Sequence, residues 1–165
     1  MTSKNTAKRK LAIGSDHAGF ALKEFLKKNI TEVDWLDEGP FSADRVDYPD
    51  YAAKAANSIL NGSVEQAVLV CGSGIGMSIA ANKFPGIRAA VVESEQSARM
   101  SRAHNDANVL CIGARLIAPD YAKDIVQTWL NTSFEGGRHA DRIQKITSLE
   151  NKSDVKTTHV ATAKS

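Results

Sequence analysis

Five short apolar runs recur along the chain, at Lys10 to Gly14, Val33 to Leu36, Ala67 to Val70, Ile87 to Val92 and Val109 to Ile112. Each has the length of a strand and is followed by a polar or glycine-containing turn. The intervening stretches carry helical periodicity instead. Ala21, Leu22, Phe25 and Leu26 share one helical face, with Lys23, Glu24, Lys27 and Lys28 on the other. Tyr51, Ala52, Ala55, Ala56, Ile59 and Leu60 form a second stripe, which Asp50 is expected to cap and Gly62 to end. A helix is expected from Met77 to Lys83, another from a Ser94 cap towards Ala103, and a third with Pro119 in its first turn and Ala122, Ile125, Val126, Trp129 and Leu130 inward. Strands alternating with helices predict a doubly wound, Rossmann-like α/β sandwich of three layers around a parallel sheet of about five strands. In such sheets ligands bind beyond the carboxyl ends of the strands. Two polar loops fall there, Asp16-His17 and Cys71 to Gly76.

A chain of 165 residues suits one core better than two. The expected organisation is a flexible leader over 1–9, one domain over 10–150 and a disordered, polar tail over 151–165. Aromatics at 6% leave little base-stacking surface, and a net charge of +2 points to no polyanionic partner, so nucleic-acid binding is not expected. No apolar stretch approaches the roughly twenty residues of a membrane span. Cys71 and Cys111 read as reduced thiols, which places the protein in the cytoplasm.

The loop Gly72-Ser73-Gly74-Ile75-Gly76 follows a strand and opens a helix. Its amides can converge on a phosphate or an oxyanion, helped by the helix N-terminus, or the glycines can serve only close packing. Met77 stands where the dinucleotide fingerprint needs a glycine. A thiol at the mouth of such a loop has its thiolate favoured, so Cys71 can act as base or nucleophile, or it can simply fill a strand end, the reading preferred for Cys111 within Val-Leu-Cys-Ile-Gly. His17 beside Asp16, and His104 at the head of His104-Asn105-Asp106-Ala107-Asn108, are either chemical or capping residues; His139 and His159 need no role. Arg138 and Arg142 lie four apart on an expected helix, where a pair can grip a phosphate or simply face solvent.

Taken together, Gly-Ser-Asp-His-Ala-Gly-Phe near the start, Asp47 to Pro49, Cys71 to Lys83, Ser-Arg-Ala-His-Asn-Asp-Ala-Asn-Val-Leu, Gly113 to Arg115 and Glu-Gly-Gly-Arg-His from Glu135 resemble the type B ribose-5-phosphate isomerases and their galactose-6-phosphate isomerase relatives. The resemblance spans about Lys10 to Glu150. It implies interconversion of ribose 5-phosphate and ribulose 5-phosphate through an enediolate, without cofactor or metal. A dense His/Asp/Glu ligand cluster is not expected either.

By the same resemblance Cys71 is the base, and Gly72, Gly74, Ile75 and Gly76 form the oxyanion cradle with Ser73 relaying a proton between substrate oxygens. His104, with Asp16, assists ring opening; Asn105 contacts sugar hydroxyls; His17, Arg115, Arg138 and Arg142 hold the phosphate. Some family members use a glutamate in this loop, but here Ile75-Gly76-Met77 offers no carboxylate. The resemblance further implies a homodimer or dimer of dimers with shared sites. Two alternatives stand beside this reading: isomerisation of a six-carbon sugar phosphate or rare free sugar, and a non-catalytic nucleotide-binding module.

Overall fold

The computed structural model describes residues 8–150. Most of the expected leader, residues 1–7, and the tail at 151–165 with His159 lie outside the described residues. Arg9, assigned to the leader by sequence, instead opens the first strand, where its guanidinium donates to the Leu130 carbonyl at 2.6 Å and to Gln66 Oε1 at 2.8 Å.

Along the chain run β1 (Arg9–Ser15), α1 (Phe20–Asn29), β2 (Val33–Gly39), α2 (Tyr48–Leu60), β3 (Ala67–Cys71), α3 (Ile75–Ala81), β4 (Ala89–Val91), α4 (Glu95–Ala103), β5 (Val109–Gly113), α5 (Pro119–Leu130) and α6 (Arg138–Glu150). The strands form one parallel sheet of five in the order β2-β1-β3-β5-β4, the doubly wound architecture expected. β3 and β5 are buried at every residue, so their sequences are apolar throughout rather than alternating. On one face Leu11, Ile13, Val68, Val70, Leu110 and Ile112 pack under α1, α4 and α5, around a fully buried Trp129. On the other, Ala12, Leu69, Cys71 and Cys111 pack under the alanine stripe of α2 and Met77 and Ala81 of α3.

Where element boundaries differ from expectation, a local competitor explains it. α2 begins at Tyr48 after Asp47, with Pro49 and Asp50 inside its first turn, so Asp50 does not cap it. Proline's fixed φ belongs in the first turn and draws the helix start ahead of it. α3 starts at Ile75, directly after Gly74 at φ +78°, and stops at Asn82, whose side-chain amide exchanges hydrogen bonds with the backbone of Ala89. β4 keeps only three residues because Phe84 and Asn108 capture the Ile87 and Arg88 amides. Ser94 caps α4 as expected, its Oγ accepting from the Ser97 amide at 3.1 Å.

Candidate active site

The sheet order reverses at β1: β2 lies on one side of it and β3 on the other. The carboxyl ends of β1 and β3 therefore frame the crevice where a doubly wound sheet binds ligands. β1 delivers Asp16 and His17 to it, β3 delivers Cys71, and β5 brings Gly113, Ala114 and Arg115 alongside.

Cys71 ends β3 almost fully buried, and the Gly74 amide donates to its sulfur at 3.1 Å. An amide dipole aimed at sulfur suits a thiolate, since it meets negative charge without reorganising. The loop turns sharply enough for this because Gly74 adopts φ +78°, a conformation that favours glycine. Ser73 Oγ accepts from the Ile75 amide at 3.3 Å. The loop is clamped from β5, where the Ala114 amide donates to the Cys71 carbonyl at 2.8 Å and the Arg115 amide to the Gly72 carbonyl at 3.1 Å. The Arg115 guanidinium lies over Gly72 closely enough that a Cβ there would stand 3.2 Å from it. Cys111, two residues before Gly113 on β5, is fully buried; burial and the neighbouring Cys71 push its thiol up, which keeps it protonated and agrees with its reading as filler.

Asp16 is buried, and its Oδ1 accepts from the Gly19 amide at 2.9 Å, closing the turn into α1. A Cβ on Gly19 would stand 2.3 Å from the Val70 carbonyl, so this glycine serves close helix–strand approach. The exposed His17 ring places Nδ1 3.1 Å from the Val46 carbonyl oxygen, leaving Nε2 for a ligand. Tyr48, which the sequence left without a role of its own, lines the same loop: a Cβ on Gly76 would meet its ring at 2.7 Å.

The remaining candidates sit at the opposite edge of the sheet. α4 runs back against the strands, so its C-cap residue His104 lies beyond the amino end of β5, whereas Cys71 pairs with Gly113 at the carboxyl end. The length of β5 alone, about 13 Å, separates the two edges. Asn105, Arg138 and Arg142 accompany His104, all three exposed. One chain thus assembles Asp16, His17, the Cys71 loop and Arg115 at one edge and His104, Asn105, Arg138 and Arg142 at the other.

His139 is buried and stacks on His104, ring centroids 4.4 Å apart and planes 6° from parallel, which corrects its reading as a residue without a role. Burial, the His104 ring and Arg138 push the His139 imidazole below its ordinary value. The Glu135 carboxylate faces both rings, 3.8 Å from His104 Nε2 and 3.7 Å from His139 Nε2. These three are a grouping of metal-ligand type among the described residues, against the expectation of none. The distance in sequence of His104, more than thirty residues before the other two, hid it, and only the i, i+4 pair Glu135 and His139 signalled it. An imidazole lone pair lies in its ring plane, so two stacked rings cannot both direct theirs at one ion; a ring would first have to turn.

Residues 11–146 match the family described as Ribose/Galactose Isomerase. A protein named ribose-5-phosphate isomerase B from Escherichia coli is 46% identical over 144 residues, 86% of this chain and 97% of that protein. The solved structure of a Clostridium thermocellum ribose-5-phosphate isomerase B superposes with a TM-score of 0.85 at 47% identity, covering 87% of this chain and 98% of the other. That of the Mycoplasma genitalium ribose-5-phosphate isomerase B with bound ribulose-5-phosphate gives 0.83 at 38% identity, covering 87% and 97%. With a matching sheet, a thiol held in a glycine turn at its switch point and near-complete coverage of these relatives, the chain belongs to the Ribose/Galactose Isomerase family.

Proposed function

We propose that the protein interconverts ribose 5-phosphate and ribulose 5-phosphate, with Cys71 as the base. The observation that carries this is the Gly74 amide on the Cys71 sulfur at the switch point of the sheet. The thiolate removes the C2 proton of the open-chain aldose, the electron pair forms the C1–C2 double bond of an enediolate, and the thiol returns the proton to C1. The amides of the Gly72 to Gly76 loop that are not committed to the Cys71 sulfur or to Ser73 Oγ serve the developing oxyanion, and the Ser73 hydroxyl passes a proton from O2 to O1. His104 and Asp16 open the furanose ring, Asp16 through the carboxylate oxygen not committed to Gly19.

Because the candidates occupy two edges, a complete site needs two chains. Cys71, Ser73, Asp16, His17 and Arg115 come from one chain and His104, Asn105, Arg138 and Arg142 from its partner, so phosphate is held by both. α6 supports a dimer: Ile146 is 44% and Leu149 64% exposed on it. Among the described residues no helix is long and apolar enough to cross a membrane, and both cysteines are free thiols, which suits the reducing cytoplasm.

The test is turnover of ribose 5-phosphate, allose 6-phosphate and galactose 6-phosphate by purified protein with chelator present. Preference for the five-carbon substrate is expected; a higher kcat/KM on either six-carbon sugar refutes the assignment.

A further inference from the structure

The segment after α4 holds a hydrogen-bond network that catalysis as described does not use. Asp106 is the only non-glycine residue with positive φ among the described residues, at +44°. Such a conformation costs about 1 kcal/mol or more unless its surroundings impose it. Here they do. The Asp106 carboxylate accepts from Arg102 NH1 at 2.7 Å and from Arg88 NH2 at 3.1 Å, bridging two guanidinium groups. Arg88, one residue before β4, also grips the backbone: its Nε donates to the carbonyls of Asn105 at 3.2 Å and Asp106 at 3.0 Å, and its NH2 to Asp106 at 2.8 Å. The Arg102 NH1 reaches the Ala107 carbonyl at 2.7 Å. Asn108 closes the set, its Oδ1 accepting from the Arg88 amide at 2.8 Å and its Nδ2 donating to the Gly86 carbonyl at 2.9 Å.

The carbonyls of Asn105, Asp106 and Ala107 and the Asp106 amide are thereby tied to Arg88 and α4, while the Asn105 side chain stays exposed and that of His104 half-buried. Charge-assisted bonds of this kind are among the stronger ones available to a loop. A side chain that must meet a ring oxygen supplied across an interface needs its backbone fixed to within about half an ångström, and a helix terminus does not provide that unaided.

We infer that Asp106 and Arg88 are positioning residues, a brace that fixes His104 for ring opening. This rests on the role given to His104 above. Arg88 is the better arginine to test, because Arg102 also lies over the Trp129 ring at 5.6 Å and its loss would disturb the core.

The experiment is a double-mutant cycle on ribose 5-phosphate turnover, at a temperature where circular dichroism shows each variant folded. Asp106→Ala and Arg88→Ala are expected to lower kcat/KM at least tenfold, with Asp106→Asn, which tolerates positive φ and keeps an acceptor oxygen, recovering most of it. In a His104→Ala background, Asp106→Ala is expected to cost less than twofold. An equal cost in both backgrounds, or single variants within twofold of the parent, would overturn the brace. Should Asp106→Ala not fold, Asp106→Gly keeps the φ, removes the carboxylate and carries the same cycle. Parent-like turnover by His104→Ala itself would instead overturn the ring-opening role on which the brace depends.

Discussion

The Gly74 amide and the Cys71 sulfur stand 3.1 Å apart, with Gly74 held at φ +78° so that its N–H faces back into the turn. Removing the sulfur leaves this donor and its neighbours intact, so fold and proton transfer can be separated. Cys71→Ala is expected to lower kcat on ribose 5-phosphate by about 10²–10⁴, the usual share of a general base. Circular dichroism should match the parent, and turnover within threefold of it would refute the assignment of the base.

Arg142 is exposed on α6, one turn beyond Arg138. If both meet the substrate phosphate, Arg142→Ala removes a charge-assisted bond made equally in ground and transition states. The expected result is a rise in KM of about tenfold or more, with kcat little changed. A KM equal to the parent's would remove Arg142 from the phosphate site.

Much of this molecule was legible because local and global signals agree. The apolar runs at Ala67 to Val70 and Val109 to Ile112 are buried on both faces, and the glycine loop after Cys71 must turn wherever it sits. The division of the candidates between two edges was not legible, since it depends on α4 carrying the chain back across the sheet by its full depth. His139 was missed for a related reason: its stacking partner His104 lies on a different helix, thirty-five residues earlier. Lys23 misled most. Placed by periodicity on the polar face of α1, it is fully buried, with its ammonium 2.7 Å from Asp37 Oδ1 and 3.0 Å from Glu24 Oε1.

The pair of buried Lys23 and partly buried Asp37 sets a pH dependence of stability. Burial opposes ionisation of Asp37, but Lys23, Lys27 and the Gly39 amide outweigh it and hold the carboxyl below its usual range. A depressed carboxyl contributes stability above its unfolded value, near 3.9, and loses it as pH falls through the lower folded value. Asp37→Asn leaves the buried Lys23 charge with Glu24 as its remaining carboxylate, and is expected to cost about 1–3 kcal/mol at pH 7. Chemical denaturation at pH 7 and below pH 3 should show the gap between variant and parent shrinking at the acid end. A gap that is constant with pH would mean the loss comes from packing alone.

The two-edge arrangement makes a stoichiometric prediction that no single-chain site can reproduce. Cys71→Ala and His104→Ala should each be nearly inactive as separate preparations. In a dimer containing one of each, one site combines both substitutions, while the other takes Cys71 from the His104→Ala chain and His104 from the Cys71→Ala chain and is intact. With subunits randomised by unfolding and refolding an equimolar mixture, half the dimers are mixed and each has one working site of two. Activity should therefore return to about one quarter of the parent's per mole of chain, by the symmetry of a two-fold dimer. If each chain instead formed its own site, mixing would leave activity at the average of the two variants. Recovery to near one quarter would assign Cys71 and His104 of a working site to different chains.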